Sequence, residues 1–240
     1  MIEILIVSFG ITFLASISQV VSGFGFAIIA VPLLAIALDP LIAVATVTAL
    51  SAVLSTGMAL QDWKQIDLKA ARTMSLAGLV GMPFGLAALS IASDRTLTLV
   101  IASVVSVLVC MLWFEMRLPN GPAATKSAGV VSGLLLTSTG MNGPPLVLAF
   151  HNLGFGPLQF RSTLQAVFSV QDLLAVAAFV CLGYIRSESL VAMAGGILAI
   201  PLGFLVGNQI FYRVSPARFR QVVLVGLLLT AASSIIKSFP

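Results

Sequence analysis

Arg161, Gln165, Phe168 and Asp172 recur at spacings of four, three and four, which puts their side chains on one face of a helix. Asp172 alone interrupts the uncharged stretch from Ser162 to Ile185, and a carboxylate at membrane depth is a functional candidate by default. On such a face Arg161 attracts an anion, Gln165 hydrogen-bonds it and Asp172 carries a proton. The competing reading is structural: Asp172 caps backbone amides freed at a hairpin tip, and Arg161 reaches out to the interface. Two glycine-rich segments add backbone chemistry: Ser22, Gly23, Phe24 and Gly25 in one, and Ser138, Thr139, Gly140, Met141, Asn142 and Gly143 in the other. A helix starting at either segment presents unpaired amides and about half a positive charge, a ready site for an anion. Glycine lets a ligand approach the backbone closely, and the hydroxyls and the Asn142 amide supply hydrogen bonds. The plainer alternative makes these glycines helix-packing contacts and lets the hydroxyls bond back to their own helices.

The remaining reactive residues are sparse. His151, the one histidine, follows the second segment and reads as an interfacial hydrogen-bonding residue. Cys110 and Cys181 lie far apart in apolar stretches and form no CxxC pair, so they read as lipid- or core-facing filler and indicate neither a disulfide framework nor a thiolate metal site. Clustered His, Cys or carboxylate ligands are missing from the sequence, and no cofactor is implied. Intramembrane proteolysis needs a serine with a base, or two facing aspartates; one histidine and one buried aspartate supply neither, so the protein is expected not to be an enzyme. Trp63 and Trp113 stand beside Lys64 and near Glu115 at span ends, as interfacial anchors do.

These residues sit in a chain of 240, of which 59% are hydrophobic and 8% charged, against about 45–50% and about 25% in a soluble domain. With a mean hydropathy of +1.13 the chain is neither a soluble globule nor a disordered segment, and the class left is an all-α polytopic membrane protein. The net charge of +4 is carried by bases lying between apolar runs, where they signal topology; nucleic acid is not an expected partner, and the bilayer is. The first run starts at Ile2 without a charged leader region or an A-x-A site, and reads as part of the mature fold.

Charges divide the chain into the runs 4–38, 40–61, 73–93, 96–114, 127–160, 162–185, 189–212 and 221–236. About 20 apolar residues cross a bilayer, so six runs are one span each. The first and fifth hold 35 and 34 residues, too long for one span, and each contains a breaker: SGFGF followed by Pro32, and STGMNGPP. Gly78, Pro83 and Gly85 recur 118 positions later as Gly196, Pro201 and Gly203, while Pro40 and Thr46 recur 117 positions later as Pro157 and Thr163. A tandem duplication follows, repeat 1 over 1–120 and repeat 2 over 121–240, forming a single transport domain joined through RLPNGPAATK. The proline–glycine pairs are expected to kink or pack the third and seventh spans.

Lysine and arginine choose between crossing and re-entrant arrangements of the broken runs. If all eight runs cross, the twelve bases divide seven to five. With both broken runs turned back, nine bases share a face and only Arg95, Arg186 and Lys237 lie opposite. The second arrangement obeys the positive-inside rule. It leaves three crossings per half, so the repeats are inverted and both termini lie outside. Irregular backbone at membrane depth is tolerated only inside protein or along a cavity, so two breaks in equivalent places point to a binding site near mid-membrane.

The stretches SQVVSGFGFAIIAVPLLAI and SGLLLTSTGMNGPPLVLAF, in order and with the repeated GxxxxPxG, resemble the TauE/SafE sulfite/sulfonate exporter family, the four-TMS sulfur-anion transporters, over essentially the whole chain. The resemblance implies a bacterial inner-membrane permease for small organic or sulfur-containing anions, with no direction of flux specified. Phe24 and Phe26 stand where the family's first motif is often glycine, which bears on the size and polarity of the substrate. Ser22, Gly23, Gly25, Ser138, Thr139, Gly140, Asn142, Gly143, Arg161 and Gln165 are the candidate substrate contacts, and Asp172 the candidate proton-coupling group. A passive anion channel is the nearest alternative, and a membrane-embedded enzyme a more remote one. Oligomeric state is left open.

Overall fold

Capping chemistry fixes where several of the helices begin. Asp39 accepts hydrogen bonds from the amides of Leu41 and Ile42 at 2.9 and 3.4 Å, and Asp67 from that of Ala70 at 2.8 Å, as N-cap carboxylates do. Proline occupies the first turn at Pro40, Pro122 and Pro157, where its missing amide costs nothing. The computed structural model describes residues 1–113, 121–151 and 153–213. Among them are nine α-helices, a 3-10 turn at Trp63–Gln65 and no strand: α1 (Ile2–Ser22), α2 (Phe26–Ala37), α3 (Pro40–Gln61), α4 (Leu68–Ile91), α5 (Asp94–Trp113), α6 (Pro122–Thr139), α7 (Gly143–His151), α8 (Pro157–Cys181) and α9 (Ser187–Phe211). The expected run 221–236 and the linker residues 117–120 lie outside the described residues.

Five helices, α1, α3, α4, α8 and α9, are long and apolar enough to cross a membrane, and leucine, isoleucine, valine and phenylalanine side chains stand exposed along their outer faces. Both long runs are broken, at Gly23–Gly25 and Gly140–Asn142. Pro32, Pro83 and Pro201 lie inside continuous helices, so the first break is made by the glycines without help from Pro32. Helix α8 starts at Pro157, five residues before the run read from the charges, and α4 at Leu68 instead of Thr73. Those runs were cut at Arg161 and Arg72, and a charge does not end a helix.

Glycine allows the closest helix pairs. Gly81 and Gly85 of α4 lie against α6 at Val130 and Leu134, and Gly195, Gly203 and Gly207 of α9 lie against α1 at Leu5, Phe13 and Val20. A β-carbon at any of these positions would collide with its neighbour. These glycines are thus packing contacts between helices. In both pairs the contacting residue numbers rise together, so each pair is parallel. Helices α3 and α8 are antiparallel: Ser51, Thr56 and Asp62 meet Asp172, Ser169 and Arg161 in reverse order. Asp67 at the N-cap of α4 and Met74 within it meet Thr163 and Gln171 of α8 in rising order, so α6 runs with α8; Gly196 brings Thr12 beside Leu50 and Arg161 brings Val20 beside Asp62, so α1 runs with α3. Each short helix between them, α2 and α7, must therefore reverse the chain, making a hairpin of each broken run.

Candidate functional site

The face of α8 inferred from spacing is the buried one. Arg161, Gln165, Phe168 and Asp172 are all within 2% of complete burial. Each end of this face attends to a different break. Gln165 Nε2 donates to the Gly23 carbonyl at 2.7 Å, and its Oε1 accepts from Gln19 Nε2 at 2.9 Å. Asp172 accepts from Asn142 Nδ2 at 2.9 Å and from Ser51 Oγ at 2.7 Å. Seven residues separate Gln165 from Asp172, about 10 Å along a helix. The breaks nevertheless touch: a β-carbon on Gly143 would stand 3.3 Å from Phe24 Cβ and 3.5 Å from the Phe168 ring.

At the first break, Gly23 caps α1 with φ 82° and donates its amide to the Gln19 carbonyl at 2.8 Å. Gly25 sits at the N-cap of α2 with φ 107° and no capping side chain. Both conformations favour glycine. Ser22 Oγ donates to the Ser18 carbonyl at 2.7 Å, receives the Phe24 amide at 3.2 Å and lies against the Phe24 carbonyl.

At the second break, Gly140 caps α6 with φ 77°. The Ser138 and Thr139 hydroxyls donate to the carbonyls of Leu134 and Leu135, each at 2.8 Å, the back-bonding that competes with a ligand role. Helix α7 opens Gly143-Pro144-Pro145, so two of its first three positions have no amide to offer.

Arg161 does not reach the interface. Its Nη2 pairs with Asp62 at 2.9 Å, Nη1 donates to the Val20 carbonyl at 3.3 Å, and the guanidinium lies 3.9 Å from the Phe211 ring centroid. Its Nε is buried with no hydrogen-bond partner among the described residues. Asp172 holds carboxamide and hydroxyl donors, and no hydrogen bond from a backbone amide to it is found among the described residues.

Spacing did not single out Ser18, Gln19, Ser51, Asp62 or Gln171. Gln171 accepts from Ser132 at 3.0 Å and reaches the Met74 carbonyl at 3.4 Å across Gly78. The available signal was the glutamines themselves, uncharged polar residues inside apolar runs; Asp62 stands directly after the run 40–61. Cys110 and Cys181 are exposed. Trp63 is exposed, with Lys64 Nζ 5.7 Å from its ring centroid, as an interfacial anchor would be. The side chains of His151 and Trp113 lie outside the described residues.

An all-helical bundle with an apolar exterior, two facing backbone breaks and a buried polar row is the architecture of a polytopic membrane transport protein. The chain belongs to the sulfite exporter TauE/SafE family, whose sequence profile matches residues 8–234. It is similar to the probable sulfite/organosulfonate exporter TauE of Cupriavidus necator (strain H16), with 26% identity over 221 residues covering 87% of this chain and 86% of that relative. No solved structure matches the chain.

Proposed function

We propose that the protein is a secondary permease of the bacterial inner membrane that carries small organic or sulfur-containing anions, sulfite and sulfonates among them. In this reading two inverted repeats, 1–120 and 121–240, form one transport domain, the anion binds at the broken helices, and Asp172 couples its movement to protons. The observation that carries the reading is the meeting of Phe24 with Gly143, which joins two irregular backbone segments inside an apolar shell. Such backbone is costly in hydrocarbon unless it serves a buried site.

The helix pairing supports the repeats. Packing of α1 on α9 corresponds to packing of α6 on α4 when the halves are exchanged, α3 crosses α8 on the axis between them, and equivalent helices run in opposite directions. The name of the Cupriavidus necator relative supports sulfite and organosulfonates as the class to test first.

The test is uptake of labelled sulfite, methanesulfonate and acetate by proteoliposomes, with and without a pH gradient. Saturable sulfite or sulfonate uptake that responds to the gradient is expected. Flux that neither saturates nor responds would make the protein a passive channel, and no anion flux at all would end the reading.

A further inference from the structure

The two breaks share a left-handed glycine, Gly23 and Gly140, but differ in the chemistry around them, and the geometry points to a single anion site per chain: the substrate's oxyanion group binds at the N-terminus of α2, with the Ser18 hydroxyl as a ligand, and the second break takes no anion. This rests on the permease reading above.

At Gly25 the first turn of α2 is buried, with Phe26 1%, Ala27 8% and Ile28 2% exposed, and no side chain caps it. First-turn amides have no partner within their own helix, and the helix dipole favours negative charge there. Ser18 supplies the independent sign of a ligand. It is 3% exposed, its Oγ has no hydrogen-bond partner among the described residues, and it would stand 2.9 Å from a β-carbon on Gly25, so it faces the α2 terminus. A buried hydroxyl without a partner is costly and uncommon; an oxyanion on the α2 amides would accept its proton. Arg161 packs beside the same break, its Cα and Cγ 3.6 and 3.7 Å from a β-carbon on Gly23, with its guanidinium balanced by Asp62.

None of this recurs at the second break. Ser18 has Leu135 as its counterpart 117 positions on, and Arg161 faces Gly23 where Val44 faces Gly140. Pro144 and Pro145 remove amides from the first turn of α7, and the Asn142 amide group already donates to Asp172 and Gln171, at 2.9 and 3.5 Å. A sulfonate or sulfite group, with three acceptor oxygens, suits the α2 terminus, where the amides and the hydroxyl converge from two helices.

The test is calorimetric titration of the purified full chain with methanesulfonate. Wild type should bind one anion per chain. Ser18→Ala should bind about ten- to a hundredfold more weakly, the loss expected for one hydrogen bond to a charged group, with unchanged thermal unfolding in the absence of ligand. Ser18→Cys, in a chain also carrying Cys110→Ser and Cys181→Ser, should react with an anionic methanethiosulfonate and be protected by methanesulfonate. Two anions per chain, wild-type affinity in Ser18→Ala, or an introduced thiol that is unreactive or unprotected in Ser18→Cys would overturn the single-site inference. Failure of the wild type both to bind and to transport any anion tested would instead overturn the permease reading.

Discussion

Asp172 is held by Asn142 and Ser51 toward one end of the buried α8 face, while Arg161 is held by Asp62 at the other, so the two ionisable groups of α8 do separate work. Asp172→Asn keeps the shape of the side chain but cannot exchange a proton. It should retain sulfite binding and lose the response of uptake to a pH gradient, and proteoliposome uptake with and without that gradient checks this. Asn142→Leu removes a donor from a buried carboxylate and should cost about 1–3 kcal/mol in addition to transport. Thermal unfolding of the mutant set against its uptake separates the two effects. Arg161 and Asp62 form a pair with side chains 2% and 18% exposed. Breaking such a pair from one side strands a charge and costs about 3–5 kcal/mol, whereas replacing both partners by apolar residues is often close to neutral. Asp62→Leu alone should therefore unfold at a lower temperature than Asp62→Leu combined with Arg161→Met. If the double variant is the less stable, the pair is a net stabiliser and this reading of it is wrong.

At the scale of the helix, glycines of one type serve opposite ends. Gly81 lies against the Val130 carbonyl, so a methyl group there wedges α4 from α6. Overpacking of this kind costs about 1–3 kcal/mol, sometimes more. Gly57 has no neighbour within 4 Å of its β-carbon position and is exposed on α3, so alanine there should be neutral or stabilising by up to about 1 kcal/mol through helix propensity. Melting of Gly81→Ala and Gly57→Ala in detergent should move in opposite directions or, at the least, only the first should fall. Spacing alone could not separate these two glycines. It placed the breaks correctly because glycine, hydroxyl and proline residues cluster only there within long apolar runs, but Pro32 looked like part of a break and proved compatible with a continuous α2.

For the whole molecule, the chain directions put Met1 at the same end as Arg95 and Arg186, and Lys64, Lys69, Arg72 and Lys126 at the other. Positive residues favour the cytoplasmic side, so a periplasm-active reporter fused to the amino terminus should work and a cytoplasm-active one should not. The reverse result would require the opposite insertion. Exchange of the halves maps Gly23 beside Arg161 and Gln165 onto Gly140 beside Val44 and Thr48. Gly23 and Gly140 thus share a left-handed turn, while the strongly polar groups of the central helix pair are concentrated on α8.

Composition by itself determined the class, because a chain with so few charges has no way to cover its apolar surface in water. Regular spacing determined the buried face of α8, since helix geometry is local and four residues at intervals of four, three and four share a side wherever the helix sits. What only the tertiary structure decided is which group each of them meets. Arg161 finds Asp62 across 99 residues, Asp172 finds Ser51 across 121, and Gln165 finds the Gly23 carbonyl across 142. Partners at such distances are set by how helices cross, and a local pattern carries no record of a crossing. The same holds for the hydroxyls. Ser18, Ser22 and Ser138 all stand in or near the broken segments, yet Ser22 and Ser138 donate their protons to their own helices while Ser18 faces the start of α2 with no partner among the described residues, because only the reversal of the chain at Gly23 and Gly25 brings that helix end over it.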